Sequence, residues 1–153
     1  MNEDTQLTLS NSTETQQELV RVVNQVNLAF RQFVQQKLKE HKIDLTFEML
    51  QVLGQLWEKD GVNQQELANA VLKDKASLVY LLDNLTRREL VTRQEDAADR
   101  RNKLVFLTIQ GRQLRNLISP MLEEMYRLSD AAITEQQVLT TIKILRQVIA
   151  NLK

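Results

Sequence analysis

The chain of 153 residues has no cysteine, one proline, three glycines and one histidine, and each shortage closes a class of chemistry. Without cysteine there are no disulfides, no thiol sensing, no thiolate metal sites and no cysteine nucleophile. Three glycines leave no glycine-rich phosphate loop, and neither an HExxH nor a GxSxG pattern occurs. Glu123 and Glu124 are adjacent within a helical pattern and read as a solvated face. His41 lacks Cys or carboxylate partners at ligand spacing, so it is read as structural or surface rather than metal-bound. No enzyme activity, metal or cofactor is therefore expected. No apolar run approaches the ~18 residues of a membrane span, and no basic-then-apolar signal opens the chain. The expectation is a soluble, cytoplasmic protein with no membrane partner.

What is present is balanced. Net charge is zero, with 42% apolar and 26% charged residues, close to globular averages, and the length suits about one domain. The charge is unevenly placed. Residues 1–20 carry Glu3, Asp4, Glu14 and Glu18 and no Lys or Arg. Between positions 87 and 115, Arg87, Arg88, Arg93, Arg100, Arg101, Lys103, Arg112 and Arg115 outnumber Glu89, Glu95, Asp96 and Asp99, a modest basic footprint.

Residues 1–15, polar and without period, read as a mobile arm. From Gln16 to about Glu40, Leu19, Val22, Val23, Val26, Ala29, Phe30, Phe33 and Val34 mark a long amphipathic helix. Thr46 stands at an N-cap position before the stripe Met49, Leu50, Leu53, Leu56 and Trp57, which "EKDG" ends at Gly61. Asn63 and Glu66 have capping-box spacing and open a short helix through Val71. A further helix follows over about 74–88, with Leu78, Leu81, Leu82 and Leu85 on its buried stripe. Its opposite face falls on Ala76, Tyr80, Asp83 and Arg87, flanked by Ser77, Val79 and Asn84, with Lys75 in the first turn. These small, hydroxyl, amide and cationic groups suit a base edge or a phosphate. Two short helices joined tightly, the second with such a face, fit a helix-turn-helix.

The period then turns extended. "LVTR" (90–93) and "KLVFL" (103–107) are β-rich, with "QEDAADRRN" between them as a charged hairpin tip. A helix-turn-helix followed by such a hairpin is a winged helix. Thr108 can cap a helix through Leu114, Leu117, Ile118, Met121, Leu122, Met125 and Leu128, with a kink expected at Pro120. Thr134 and Gln137 repeat the capping-box pattern ahead of Val138, Ile142, Leu145, Ile149 and Leu152. The fold class is mainly α (α+β): a winged helix-turn-helix over 45–108, with an all-helical dimerisation region from both termini, 16–44 and 109–153. Apolar helices outside the winged helix must be covered, and a homodimer covers them. It also sets two reading helices about 34–36 Å apart, the repeat of a pseudo-palindromic site.

Over Leu45–Gly111 the chain resembles the MarR family, the multiple antibiotic resistance regulators of bacteria. The matching pieces are "LT" (45–46), "VLGQL" (52–56), "NQQELA" (63–68), "LLDNL" (81–85), "LVTR" (90–93), "DRR" (99–101) and "LVFLTIQG" (104–111), in order and at matching spacing. The resemblance implies a homodimeric regulator that binds double-stranded DNA, usually a repressor, often released by a small ligand or by oxidation. Lacking Cys, this chain is outside the oxidation-sensing branch. Its recognition helix would be 74–88 in the major groove, with Lys75, Ala76, Ser77, Val79 and Tyr80 nearest the bases and the 94–102 wing in the minor groove. Asp99 would orient the Arg101 guanidinium, a planar, permanent cation suited to a narrow groove. Many relatives have glycine where Glu89 stands, so Glu89 is either strained in a left-handed conformation or the helix ends differently.

Asn84, Arg87, Arg100 and Lys103 complete the DNA candidates, the last two as phosphate contacts or solvated cations. Phe30, Phe33, Phe47, Met49 and Trp57 could line a pocket for a small-molecule effector, although aromatics at helical spacing read first as core. An acidic wing, with Glu95 and Asp96, and zero net charge leave one alternative: a winged-helix module that docks another protein with DNA binding reduced or lost.

Overall fold

A computed structural model describes residues 12–153, and the chain divides after Arg112 into two compact units. The first unit holds α1 (Ser12–Glu40), α2 (Phe47–Glu58), β1 (Val62–Asn63), α3 (Gln64–Ala70), α4 (Lys75–Arg87), β2 (Val91–Glu95) and β3 (Lys103–Leu107). Helix α5 (Ile109–Ser129) begins there and runs on into the second unit, which ends with α6 (Glu135–Asn151). The arm expected over 1–15 lies outside the described residues for 1–11, while Ser12–Thr15 are already helical.

Side-chain caps set several helix starts. Thr46 Oγ1 accepts from the Met49 N–H, Asn63 Oδ1 from Glu66 and Thr108 Oγ1 from Gly111, each satisfying a donor with no partner inside its helix. Thr134 and Gln137 form the reciprocal capping box. Helix ends depart from the usual glycine. Lys42, Leu72 and Glu89 follow α1, α3 and α4 with φ of 55, 54 and 57°. After α4, Glu89 N–H bonds the Thr86 carbonyl and Leu90 N–H that of Leu85, the paired bonds of a Schellman ending. Of the two readings open for Glu89, the left-handed one holds. Gly61 acts differently from a helix stop: α2 has already ended, and Gly61, at φ +68°, lies so close to the Phe106 ring that a Cβ would come within 2.7 Å of it.

The sheet order is β1-β3-β2, all antiparallel, with Val91 opposite Leu107, Arg93 opposite Val105 and Val62 opposite Val105 on the other side. β1 escaped the sequence reading, because two residues are too few to show a period of two. The core of this unit is closed: Val52, Leu53, Leu56, Leu67, Leu78, Leu82, Leu85, Val91 and Val105 are all 1% exposed or less. Asp60 ties three segments together. Its Oδ1 accepts from the Gly61 and Leu107 N–H groups and its Oδ2 pairs with Arg112 at 2.5 Å.

In the second unit Ile118, Met121 and Met125 are buried, while α6 has no buried residue. Helix α5 continues through Pro120, which cannot donate to the carbonyl four residues back. No helix among the described residues is long and apolar enough to cross a membrane.

Candidate nucleic-acid interface

Helix α4 is placed by its buried stripe. Leu78, Leu81, Leu82 and Leu85 face the core, so the 100° step turns Lys75, Ala76, Tyr80, Asp83 and Arg87 outward, all exposed. Tyr80 is 66% exposed. Asp74 fixes the start: its Oδ1 accepts from the Ser77 N–H and its Oδ2 from the Ser77 hydroxyl, both at 2.8 Å. Those bonds favour the carboxylate and hold its pKa below the ordinary value.

Asn84 is placed otherwise than expected. It is buried at 7% exposure, and a buried amide must satisfy its own hydrogen bonds. Its Nδ2 donates to the Tyr80 carbonyl at 2.9 Å, and its Oδ1 accepts from Arg87 at 2.8 Å and Arg88 at 3.3 Å. Asn84 therefore holds two arginines and is not itself presented to a groove. Arg88 in turn donates from Nε to the Asp44 carbonyl and from Nη2 to its carboxylate, at 2.8 and 2.9 Å. The α4 end is thereby tied to the segment before α2.

The wing is built from backbone and acids. Asp96 N–H bonds the Asn102 carbonyl, Asn102 N–H the Asp99 carbonyl. Asp96 Oδ1 accepts from the Ala98 N–H and Asp99 Oδ1 from the Arg101 N–H at 3.0 Å. Asp99 thus holds the main chain of Arg101. Among the described residues no carboxylate pairs with its guanidinium, a correction to the expected acid-to-guanidinium pair. The reason is local: an Asp side chain two residues before an N–H closes an Asx turn more readily than it reaches a long side chain. Arg100, Arg101 and Lys103 are all exposed. Wing and helix are joined by Arg93 and Asp83, 2.6 Å apart. That link, like Arg88 to Asp44, escaped the sequence reading, because it joins residues on different elements.

The remaining candidates serve the first unit's packing. Trp57 Nε1 donates to the Gly111 carbonyl at 2.9 Å, and Met49 is buried. Phe47 lies under the Arg31 guanidinium at 5.1 Å and Phe33 under Lys37 at 5.5 Å, while Phe30 is half-buried. Arg31 is also paired with Glu48. Burial raises the Glu48 pKa, but its hydrogen bonds and Arg31 outweigh that and leave it lowered. His41 is exposed, with Nδ1 2.9 Å from the Lys37 carbonyl. Among the described residues no three His, Asp or Glu side chains gather as a metal site would require.

The sequence pattern of the MarR family matches residues 45–103. The transcriptional regulator HosA of Escherichia coli O157:H7 is 36% identical over 76 residues, 49% of this chain and 56% of that protein. The chain spans about half the length of the HosA relatives it matches. The regulator SarZ of Staphylococcus haemolyticus is 25% identical over 114 residues, 74% of this chain and 75% of that one. Among solved structures, the S. aureus MepR–DNA complex is similar with a TM-score of 0.78 and 26% identity, covering 86% of this chain and 96% of that chain. The fold is thus the winged helix-turn-helix of these regulators, and its residues 45–103 carry the pattern of the MarR family.

Proposed function

We propose that this protein is a homodimeric, sequence-specific DNA-binding transcriptional regulator, a repressor on a pseudo-palindromic operator. The observation that carries the reading is the pairing of one exposed helix face, Lys75 to Arg87, with a wing whose Arg100, Arg101 and Lys103 are exposed, the two joined by Arg93 and Asp83. Helix α4 is of a size to enter a major groove, and a wing cation suits the adjacent minor groove. MepR, similar in fold over most of its length, has been solved bound to DNA, and HosA and SarZ are named as transcriptional regulators.

Roles follow from exposure. Ala76, Val79 and Tyr80 meet the bases, with Ser77 shaping the helix start. Lys75, Arg87, Arg100 and Lys103 meet phosphate, Arg101 enters the minor groove, and Asn84 and Asp99 hold Arg87 and the Arg101 backbone in place. A small-molecule effector that lowers the affinity belongs to the same proposal, with the half-buried Phe30, Phe33 and Phe47 as its apolar contacts.

Fluorescence anisotropy with duplexes from the protein's own promoter region tests the reading. Log affinity should fall steeply and linearly with log salt as phosphate counterions are released. Arg101→Ala should cost about 1–3 kcal/mol with the dimer intact. A protein-docking module would show no salt-dependent duplex affinity, and that result overturns the proposal.

A further inference from the structure

We propose that the base-specific part of this interface reads thymine methyl groups in the major groove, rather than hydrogen-bonding base edges. The inference rests on the DNA-binding reading above and names the sequence chemistry it recognises. It comes from what the polar groups of α4 are already doing. The Ser77 hydroxyl donates its only proton to Asp74. Asn84, the one amide on the helix, is buried and bonded at both ends, to the Tyr80 carbonyl and to Arg87 and Arg88. Asp83 is paired with Arg93. Asn and Gln are the side chains that pair adenine bidentately, and α4 presents neither to solvent.

Apart from the Tyr80 hydroxyl, the centre of the outward face is carbon. Ala76, Val79 and Tyr80 lie at i, i+3 and i+4, one patch of a helix surface. Ala76 and Tyr80 are exposed and Val79 half-buried, and the Tyr80 ring stands 66% in solvent. Lys75 in the first turn and Arg87 in the last bracket the patch with cations suited to phosphates. Among the groups that a major groove displays, the C5 methyl of thymine is the apolar one. A methyl covered by Tyr80 or Val79 leaves water at about 0.8 kcal/mol, a factor of about four in affinity.

The test takes the full-length protein and a duplex selected by it from a random library at fixed salt. Thymines of each half-site are then replaced singly by deoxyuridine, which removes the methyl and keeps every hydrogen-bonding group. Guanines are replaced by 7-deazaguanine, which removes the N7 acceptor. At least one deoxyuridine per half-site is expected to weaken binding about fourfold. Tyr80→Ser or Val79→Ala should bind thymine and deoxyuridine duplexes alike at that position, while Tyr80→Phe keeps the preference. Deoxyuridine neutral at every position overturns the inference and leaves the regulator standing, as does a loss confined to 7-deazaguanine. Absence of salt-dependent affinity for any duplex overturns the regulator and the inference together.

Discussion

The winged helix and helix α6 stand at opposite ends of one scale. In the winged helix nearly every apolar side chain is covered within the chain and many polar groups have a named partner: Leu82 and Leu85 are fully buried, Asn84 bonds at both ends, and Asp60 joins three segments. Helix α6 has a closed capping box yet no buried residue: Val138, Leu139, Ile142, Ile144 and Ile149 are all at least 39% exposed. Both helices are amphipathic in sequence. The difference teaches that α4 ends in a finished surface, while α6 leaves its apolar stripe uncovered, the kind of stripe that the proposed homodimer would cover. The same holds for the N-terminal half of α1, where Val20, Val22, Val23 and Val26 are exposed.

The largest expected effect breaks the comparison on the α6 side. Replacing Ile142 and Ile149 together by Asp removes about 1.5–3 kcal/mol of burial per side chain in the assembled state. Sedimentation should then show monomers with dimer affinity weakened roughly a hundredfold or more. A dimer unchanged by both substitutions would mean that α6 is not in the interface. On the head side, Leu82→Ala opens a cavity in a closed core and should lower unfolding free energy by about 2–5 kcal/mol in a denaturant titration. An effect below about 1 kcal/mol would show that this core is looser than its burial says.

Smaller effects sharpen the picture of α4. Glu89 holds a left-handed conformation that costs an L-residue about 1–2 kcal/mol, partly offset by the greater freedom of glycine in the unfolded chain. Glu89→Gly should raise stability by about 0.5–1 kcal/mol net and the melting temperature with it. A lower melting temperature would show that the Glu89 side chain stabilises the fold. The least effect is on pH. The pKa of Asp74 is depressed in the folded chain below its ordinary 3.8, so its cap is fully in place above that value. The contribution is lost as pH falls through the folded pKa. Asp74→Asn retains a capping side chain without titrating, so its acid unfolding should lack this component. Identical acid profiles for both proteins would remove Asp74 from the pH response.

Much of this was legible in one dimension. The stripe at Leu78, Leu81, Leu82 and Leu85 placed the outward face of α4, and Thr46, Asn63 and Thr134 marked helix starts, because caps and stripes are local, set by spacing within a few residues. Glu89, standing where many relatives have glycine, left two helix endings open, and the backbone took the left-handed one. Asn84 shows where that legibility stops. By spacing it flanks the outward face, and only the packing of Arg87 and Arg88 around it turns a candidate reader into a buried holder. Asp99 is a similar case, since whether a carboxylate takes the Arg101 backbone or its guanidinium depends on the shape of the turn.

The sequence by itself determined the helices, their caps, the hairpin and the family pattern, since each rests on residues near one another in the chain and on local dihedral and hydrogen-bond preferences. Only the tertiary structure decided which polar side chains stay exposed on α4 and the wing and which are already taken. Those partnerships, Arg88 with Asp44, Arg93 with Asp83 and Asp60 with Arg112, bring together charges from different elements. Their pairing follows from how the elements pack, which no spacing along the chain records.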